Sequence, residues 1–143
     1  MINEVSKSTT ETEKIGKRIA DKLKPGDIVG FTGGLGAGKT YMIKSICAAL
    51  GVREVVNSPT YTLTHLYEGA KKIVHVDCYR LNSPREAEML GLDEYFSSQS
   101  ICLIEWADKI KSILPESMVN VTLERVPGKP NWRKVAVDGL CTY

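Results

Sequence analysis

A glycine-rich segment near residue 35 most constrains what this chain can fold into. It reads Gly33-Gly34-Leu35-Gly36-Ala37-Gly38-Lys39-Thr40 and fits the pattern G-x-x-x-x-G-K-[ST]. The apolar run Ile28–Phe31 precedes it, and a stretch with helical periodicity, Tyr41–Leu50, follows it. Pattern and context agree, so the sequence predicts a strand, a phosphate-binding loop (P-loop) and a helix in succession. We expect this unit to bind a nucleoside triphosphate.

Each residue type in the loop meets a need of a bound triphosphate. Glycines let the backbone turn so that several N–H groups face phosphate oxygens at the positive end of a helix. Lys39 supplies a positive charge for the outer phosphates, and the Thr40 hydroxyl is suited to ligating Mg²⁺. The loop therefore predicts a nucleotide cofactor with a magnesium ion.

The size and composition of the chain exclude several classes of protein. At 143 residues the chain has room for one domain, assigned to residues 1–143. No apolar run approaches the roughly 18 residues that a membrane span requires, and Met1–Lys7 lacks the apolar region of a secretory signal. The net charge of +2 does not by itself argue for nucleic-acid binding. Because Cys47, Cys78, Cys102 and Cys141 lack metal-ligand spacing, we expect buried reduced thiols and a cytoplasmic protein.

Periodicity and turn signals predict the other helices and strands. A first helix, with Thr10 or Thr12 as its cap, ends at Pro25-Gly26, and further helices are expected from Ser83 to about Leu90 and over Ala107–Ile113. Strands are expected at Leu63–Tyr67, Lys72–Cys78, Ile101–Ile104, Met118–Val126 and Trp132–Val137. The first two form an antiparallel hairpin, and a turn over residues 127–131 joins the last two. These elements predict an α/β fold of the P-loop NTPase kind, with a mostly parallel central sheet flanked by helices and antiparallel strands added.

Two acidic residues end apolar runs and are the candidates that complete the site. Asp77 follows Ile73–Val76, and Glu105 follows Ile101–Ile104. A carboxylate at such a position has to be paired or metal-bound, and at the carboxyl edge of a parallel sheet it faces the phosphates. The purer apolar run before Glu105 favours it as the metal ligand. Asp77 then orients or activates the attacking water, or shares the metal.

Other clusters leave alternatives open. The hydroxyl-rich run from Asn57 to Thr62 fits either a segment that senses the γ-phosphate or a plain connector. Arg80 suits a phosphate, a partner or solvent, and Trp106 suits either a cover for the site or the core. His65 and His75 lie on apolar strands without companion ligands, so we interpret neither as catalytic.

Four blocks of sequence together resemble the bacterial TsaE family, formerly YjeE. They are Leu35–Thr40, Ser58-Pro59-Thr60-Tyr61-Thr62-Leu63, His75-Val76-Asp77-Cys78-Tyr79-Arg80-Leu81 and Ile104-Glu105-Trp106. Their order and spacing match the family over nearly the whole chain. The chain departs from the family pattern at Gly34, where Asp is usual, and at Cys78, where Leu is usual.

The resemblance implies a function beyond what the residues alone indicate. TsaE-like proteins are P-loop ATPases required for threonylcarbamoyl modification of adenosine 37 in tRNAs that read ANN codons, and they act with TsaB and TsaD. By this resemblance, Leu35, Gly36, Ala37, Gly38, Lys39 and Thr40 hold the phosphates. Thr40 and Glu105 ligate Mg²⁺, Asp77 lies by the γ-phosphate, and Thr9 and the Gly128 loop lie near adenine. Lys39, Asp77 and Glu105 are then the catalytic residues, and tRNA is reached only through the complex.

Two other functional classes compete with this interpretation. A small-molecule P-loop kinase is the main alternative, although the sequence contains no Arg-rich lid and no acceptor-site motif. A GTPase-like switch is the other, but the Asn-Lys-x-Asp sequence that reads guanine is missing.

Overall fold

The P-loop strand lies in the middle of a seven-stranded sheet. In the computed structural model, which describes residues 1–59, 63–96 and 99–140, the strand order is β1-β7-β6-β2-β5-β4-β3. The strands are β1 (Ile2–Ser6), β2 (Ile28–Thr32), β3 (Thr64–Glu68), β4 (Lys72–Asp77), β5 (Ile101–Glu105), β6 (Val119–Val126) and β7 (Lys129–Asp138). The β6–β2, β2–β5 and β5–β4 pairs are parallel, and the β1–β7, β7–β6 and β3–β4 pairs are antiparallel. The predicted α/β fold with a parallel centre and added antiparallel strands is confirmed.

The helices begin close to where their capping residues predict. They are α1 (Thr9–Lys22), α2 (Lys39–Ala49), α3 (Pro84–Met89), α4 (Asp93–Phe96) and a 3₁₀ helix (Ala107–Ile113). Ser83 caps α3 as predicted, and its hydroxyl accepts from the Glu86 N–H. The cap of α1 was predicted wrongly as Thr10 or Thr12. Ser8 takes this place because its backbone is extended and its hydroxyl accepts from the Glu11 N–H.

The structure also differs from the sequence prediction at the first and last strands of the chain. β1 lacked a sequence signal because only Ile2 and Ser6, its first and last residues, are buried. β7 begins at Lys129 rather than Trp132, so Pro127-Gly128 forms the whole turn of the β6–β7 hairpin. The proline at position 130 did not prevent pairing because the register is shifted near Val126 at this end of the hairpin.

Apolar side chains on the two faces of the sheet form two clusters. Phe31 and Leu103 belong to the cluster beneath α1 and α2, whereas Ile104 belongs to the one packed against Ala107 and Ile110. β2 and β5 are therefore buried on both faces, which explains their continuous apolar sequences. Strand alternation puts His75 and Asp77 on the same face as Ile73, the face covered by α1 and α2.

The α1 and α2 helices touch at a glycine. A Cβ atom at Gly16 would stand 2.6 Å from the Cβ atom of Ser45, closer than side chains approach one another. Glycine costs an interior helix position about 1 kcal/mol relative to alanine, and here it permits the close approach. α1 and α2 thus pack backbone to side chain at this crossing.

Three of the four cysteines are buried free thiols, as predicted. They are Cys47, Cys78 and Cys102, and Cys141 lies outside the described residues. Across residues 1–59, 63–96 and 99–140, no helix has the length and apolar character needed to cross a bilayer.

Candidate nucleotide site

The P-loop leaves β2 at Thr32 and enters α2 at Lys39. Gly36 and Gly38 both have left-handed backbone conformations, with φ of +74° and +102°. A Cβ atom at Gly36 would also lie 2.0 Å from the Arg125 guanidinium. Both positions therefore require glycine, and the loop turns tightly onto the first turn of α2. Of the predicted phosphate-binding residues, Leu35 is the one whose side chain projects into solvent, at 69% exposure.

Lys39 holds its ammonium group inside the loop. Its Nζ donates to the carbonyl oxygens of Gly33 at 2.5 Å and Gly34 at 2.8 Å, and it lies 4.0 Å from the centroid of the Trp106 ring. Burial lowers the pKa of Lys39, and the carboxylates of Glu105, Asp108 and Asp77 oppose that shift. The cation thus lies beside the cavity where phosphates are expected.

The two acids stand side by side at the carboxyl edge of the parallel sheet. Asp77 is the register partner of Glu105 across β4 and β5, and both are buried. The Thr40 hydroxyl at the start of α2 donates to Glu105 Oε1 at 2.9 Å. The structure therefore brings together Lys39, Thr40, Asp77 and Glu105, all predicted from sequence.

Asp77 is tied to the loop that follows α2. Its Oδ2 atom accepts from the Ser58 hydroxyl at 2.5 Å, and its Oδ1 atom accepts from the Tyr79 N–H at 2.9 Å. The hydroxyl-rich run was predicted either to sense the γ-phosphate or to be a connector. The structure brings Ser58 to the site, whereas Thr60, Tyr61 and Thr62 lie outside the described residues.

Two arginines on the β6–β7 hairpin bind backbone carbonyls of the P-loop, and sequence reasoning missed both. Arg133 donates through Nε to the Ala37 carbonyl at 3.1 Å and through Nη2 to the Gly36 carbonyl at 3.2 Å. Arg125, its register partner, donates to the same Gly36 carbonyl at 3.3 Å. Their separation from the loop by about 90 residues gives no local sequence signal. Arg80, also considered above, is exposed.

P-loop residues line two cavities. One of about 360 Å³ is bounded by Lys39, Thr40, Asp77, Glu105 and Trp106 among others. Trp106, whose backbone is left-handed with φ of +58°, forms part of the cavity wall. The second cavity, of about 450 Å³, shares Ala37, Gly38 and Tyr41 with the first. The two cavities therefore adjoin at these shared residues.

The second cavity is the candidate pocket for the base. Thr9 is among its lining residues, as the family resemblance implied. Gly128 is not: it lies in the hairpin turn with φ of +76°, and Pro130 and Asn131 line the cavity instead. A contact between Gly128 and the nucleotide stays a prediction.

The oxygen donors of the first cavity fit Mg²⁺. Thr40 and Glu105 supply a hydroxyl and a carboxylate oxygen within 2.9 Å of each other. Within the described ranges, no group of three or more His, Cys, Asp or Glu side chains could form a metal cage. A small donor set suits magnesium, which in nucleotide sites is bound by one or two protein groups together with phosphates and waters.

Comparison with known proteins points to one family. The sequence model of the family described as "Threonylcarbamoyl adenosine biosynthesis protein TsaE" matches residues 6–134. A relative from Bacillus subtilis, a tRNA threonylcarbamoyladenosine biosynthesis protein TsaE, is 43% identical over 116 residues, which are 80% of this chain and 72% of the relative. A relative of the same name from Treponema pallidum is 36% identical over 119 residues, with 83% and 88% covered. The crystal structure of Bacillus subtilis YdiB superposes with a TM-score of 0.79 at 33% identity, covering 94% of this chain and 82% of that one.

Proposed function

Because this chain belongs to the TsaE family, we propose that it is a Mg²⁺-dependent ATPase that supports threonylcarbamoyl modification of adenosine 37 in tRNAs reading ANN codons. The relatives that carry the tRNA threonylcarbamoyladenosine name share 36–43% identity with it. The observation that carries the ATPase proposal is the hydrogen bond from Thr40, at the P-loop helix start, to Glu105 at the end of the neighbouring strand.

Each residue of the site has a separate role in the proposed hydrolysis. Thr40 and Glu105 would hold Mg²⁺, which when bound neutralises charge on the β- and γ-phosphates. Lys39 exchanges its carbonyl partners for phosphate oxygens, which are stronger acceptors for an ammonium group. Asp77, beside Glu105, orients the attacking water, and its contact with Ser58 brings the loop after α2 to the same point.

The protein acts in this proposal as part of an assembly with TsaB and TsaD. Nucleotide bound against Asp77 would reposition the Ser58 loop and so bias a partner surface. The net charge of +2 supports contact with tRNA through the complex rather than by this chain alone.

Reconstituted threonylcarbamoyl transfer to tRNA tests the proposal. Multiple-turnover modification with TsaB and TsaD should require the protein and ATP, and should fail when Lys39→Ala replaces it. Modification that proceeds equally well without the protein would refute the role. The alternative, a small-molecule P-loop kinase, requires phosphate transfer to an acceptor. A panel of hydroxyl and carboxyl acceptors should yield only inorganic phosphate, and a phosphorylated product would favour the kinase.

A further inference from the structure

A buried histidine lies directly behind the proposed metal ligand. His75 is fully buried on β4, and its Nε2 atom is 2.7 Å from Oε2 of Glu105. A carboxylate oxygen accepts, so the imidazole is the donor in this pair when Nε2 carries the hydrogen. Thr40 contacts the other oxygen, Oε1. The two carboxylate oxygens thus have different partners, one on the cavity side and one in the core.

The other face of the imidazole continues into the loop that reaches Asp77. The buried Tyr67 hydroxyl, on β3, is 3.3 Å from His75 Nδ1 and donates to the Asn57 carbonyl at 3.2 Å. Asn57 precedes Ser58, the residue whose hydroxyl donates to Asp77. A continuous series of polar contacts therefore runs from Glu105 through His75 and Tyr67 to the loop at the second acid.

Stability alone does not explain why these buried positions carry polar side chains. Well-packed apolar residues of similar volume are often equally or more stabilising than a buried hydrogen-bonded ionisable pair. Ile73, the preceding inward residue of β4, shows that an apolar side chain suits this face. The polar groups are instead connected to both acids of the site.

We propose that His75, backed by Tyr67, is a positioning residue for Glu105. This inference rests on the proposed magnesium-dependent ATPase and names residues that act through its metal ligand. By holding Oε2, His75 restricts rotation of the carboxylate and keeps Oε1 beside Thr40, where the metal is expected. Through Tyr67, the same contact couples the carboxylate to the Asn57–Ser58 loop.

Three variants test this role. His75→Leu removes the donor at similar volume, and His75→Gln restores an N–H near the Nε2 position. Tyr67→Phe removes one hydroxyl. For His75→Leu we expect the Mg²⁺ concentration for half-maximal ATP hydrolysis to rise about tenfold or more, the usual effect of removing a group behind a metal ligand. ADP affinity measured by calorimetry in EDTA should stay within about twofold, whereas the gain in affinity on adding Mg²⁺ should shrink. In His75→Gln, the Mg²⁺ concentration for half-maximal hydrolysis should return close to that of the parent protein.

The matched control is His65→Leu. His65 is the register partner of His75 on β3 and reaches Tyr67 but not Glu105. For His65→Leu, the Mg²⁺ concentration for half-maximal ATP hydrolysis should stay within about twofold of that of the parent protein. Equal effects in His65→Leu and His75→Leu would mean that the loss comes from disturbed packing of the β3–β4 hairpin. This outcome would overturn the proposal.

Nitrogen-15 labelling of histidine gives a readout independent of turnover. His75 should carry a slowly exchanging hydrogen on Nε2, and Glu105→Ala should make its exchange faster. A hydrogen absent from Nε2 would overturn the inference. If the parent neither hydrolyses ATP nor binds Mg²⁺ with nucleotide, the proposed function fails, whatever the histidine spectrum shows. If the parent is active but His75→Leu keeps its metal dependence, only the positioning role fails. Should His75→Leu not fold, Tyr67→Phe decides, with an unchanged metal dependence refuting the coupling.

Discussion

The Thr40 hydroxyl donates to Glu105 Oε1 at 2.9 Å, although the two residues are 65 positions apart in the chain. They meet because β2 and β5 pair in parallel with Phe31 opposite Glu105, and α2 begins just beyond β2. Two buried strands therefore assemble the candidate metal ligands as part of folding itself. We therefore expect the proposed nucleotide site to need little reorganisation on binding.

Lys39→Ala should weaken ATP binding about 10- to 100-fold, the value of a hydrogen-bonded charge. The fold should persist, because Lys39 contacts two loop carbonyls rather than the apolar core. Fluorescent-nucleotide titration and circular dichroism check both points. Lys44→Ala, an exposed lysine on the same helix, is the control and should bind normally. Normal affinity in Lys39→Ala with a native spectrum would contradict the P-loop interpretation.

The two acids should separate metal binding from catalysis. Glu105→Gln should lower Mg²⁺-dependent turnover about 100-fold or more while ADP binding in EDTA persists. Asp77→Asn should also stall hydrolysis but keep the affinity for Mg²⁺ with nucleotide, because Thr40 donates to Glu105 whereas Asp77 accepts from Ser58. Calorimetric titration with and without Mg²⁺ distinguishes them. The opposite pattern would mean that the roles are exchanged.

Arg133→Gln should weaken nucleotide binding about threefold to tenfold, which corresponds to the net value of about one hydrogen bond. Its guanidinium holds the carbonyls of Gly36 and Ala37, and in a trans peptide the N–H points away from the carbonyl. Arg133 therefore helps to fix the direction of the following N–H groups, and it also lines the 450 Å³ cavity. Lys134→Gln removes the same charge from an exposed neighbour and should have little effect in the same titration.

ATP should displace a bound fluorescent nucleotide at a lower concentration than GTP. The base is expected in the 450 Å³ cavity, where Asn131 offers an amide. Asn131→Ala should therefore reduce the preference for ATP. GTP that competes as well as ATP would contradict the assignment of adenine.

Cys47 and Cys78 should resist alkylation in the native protein. Burial raises the pKa of each thiol to about 12, so at pH 8 only about one molecule in 10⁴ carries the reactive thiolate. The labelling rate in a Cys141→Ser background, followed by mass spectrometry, should be far below that of the unfolded chain and should rise with pH. Rapid labelling of Cys78 at pH 8 would show that the segment after Asp77 opens readily.

The sequence predicted the centre of the fold because its signals there are local. The P-loop pattern, the apolar run before Glu105 and the Ser83 cap each lie within a few residues, and the structure contains all three elements. β1 was not predicted, because it is an edge strand with two inward residues and no alternation to detect.

The sequence predicted the two acids, the lysine and the threonine of the site, but not the residues that support them. Arg133 binds the loop from a strand near the other end of the sequence, and His75 was set aside because no ligand partner lay nearby in the chain. Its partner is 30 residues away on the adjacent strand. Strand order, which no single segment of the sequence specifies, creates both contacts.

The close approach at Gly16 determines how near α1 lies to α2. α1 carries Thr9, which lines the cavity proposed for the base, and α2 carries Lys39 and Thr40, which line the cavity proposed for the phosphates. With 2.6 Å available for a Cβ atom against Ser45, even one added methyl group would have to push the two helices apart. In the proposed ATPase, the spacing between Thr9 and the phosphate-binding residues therefore depends on a missing side chain at position 16.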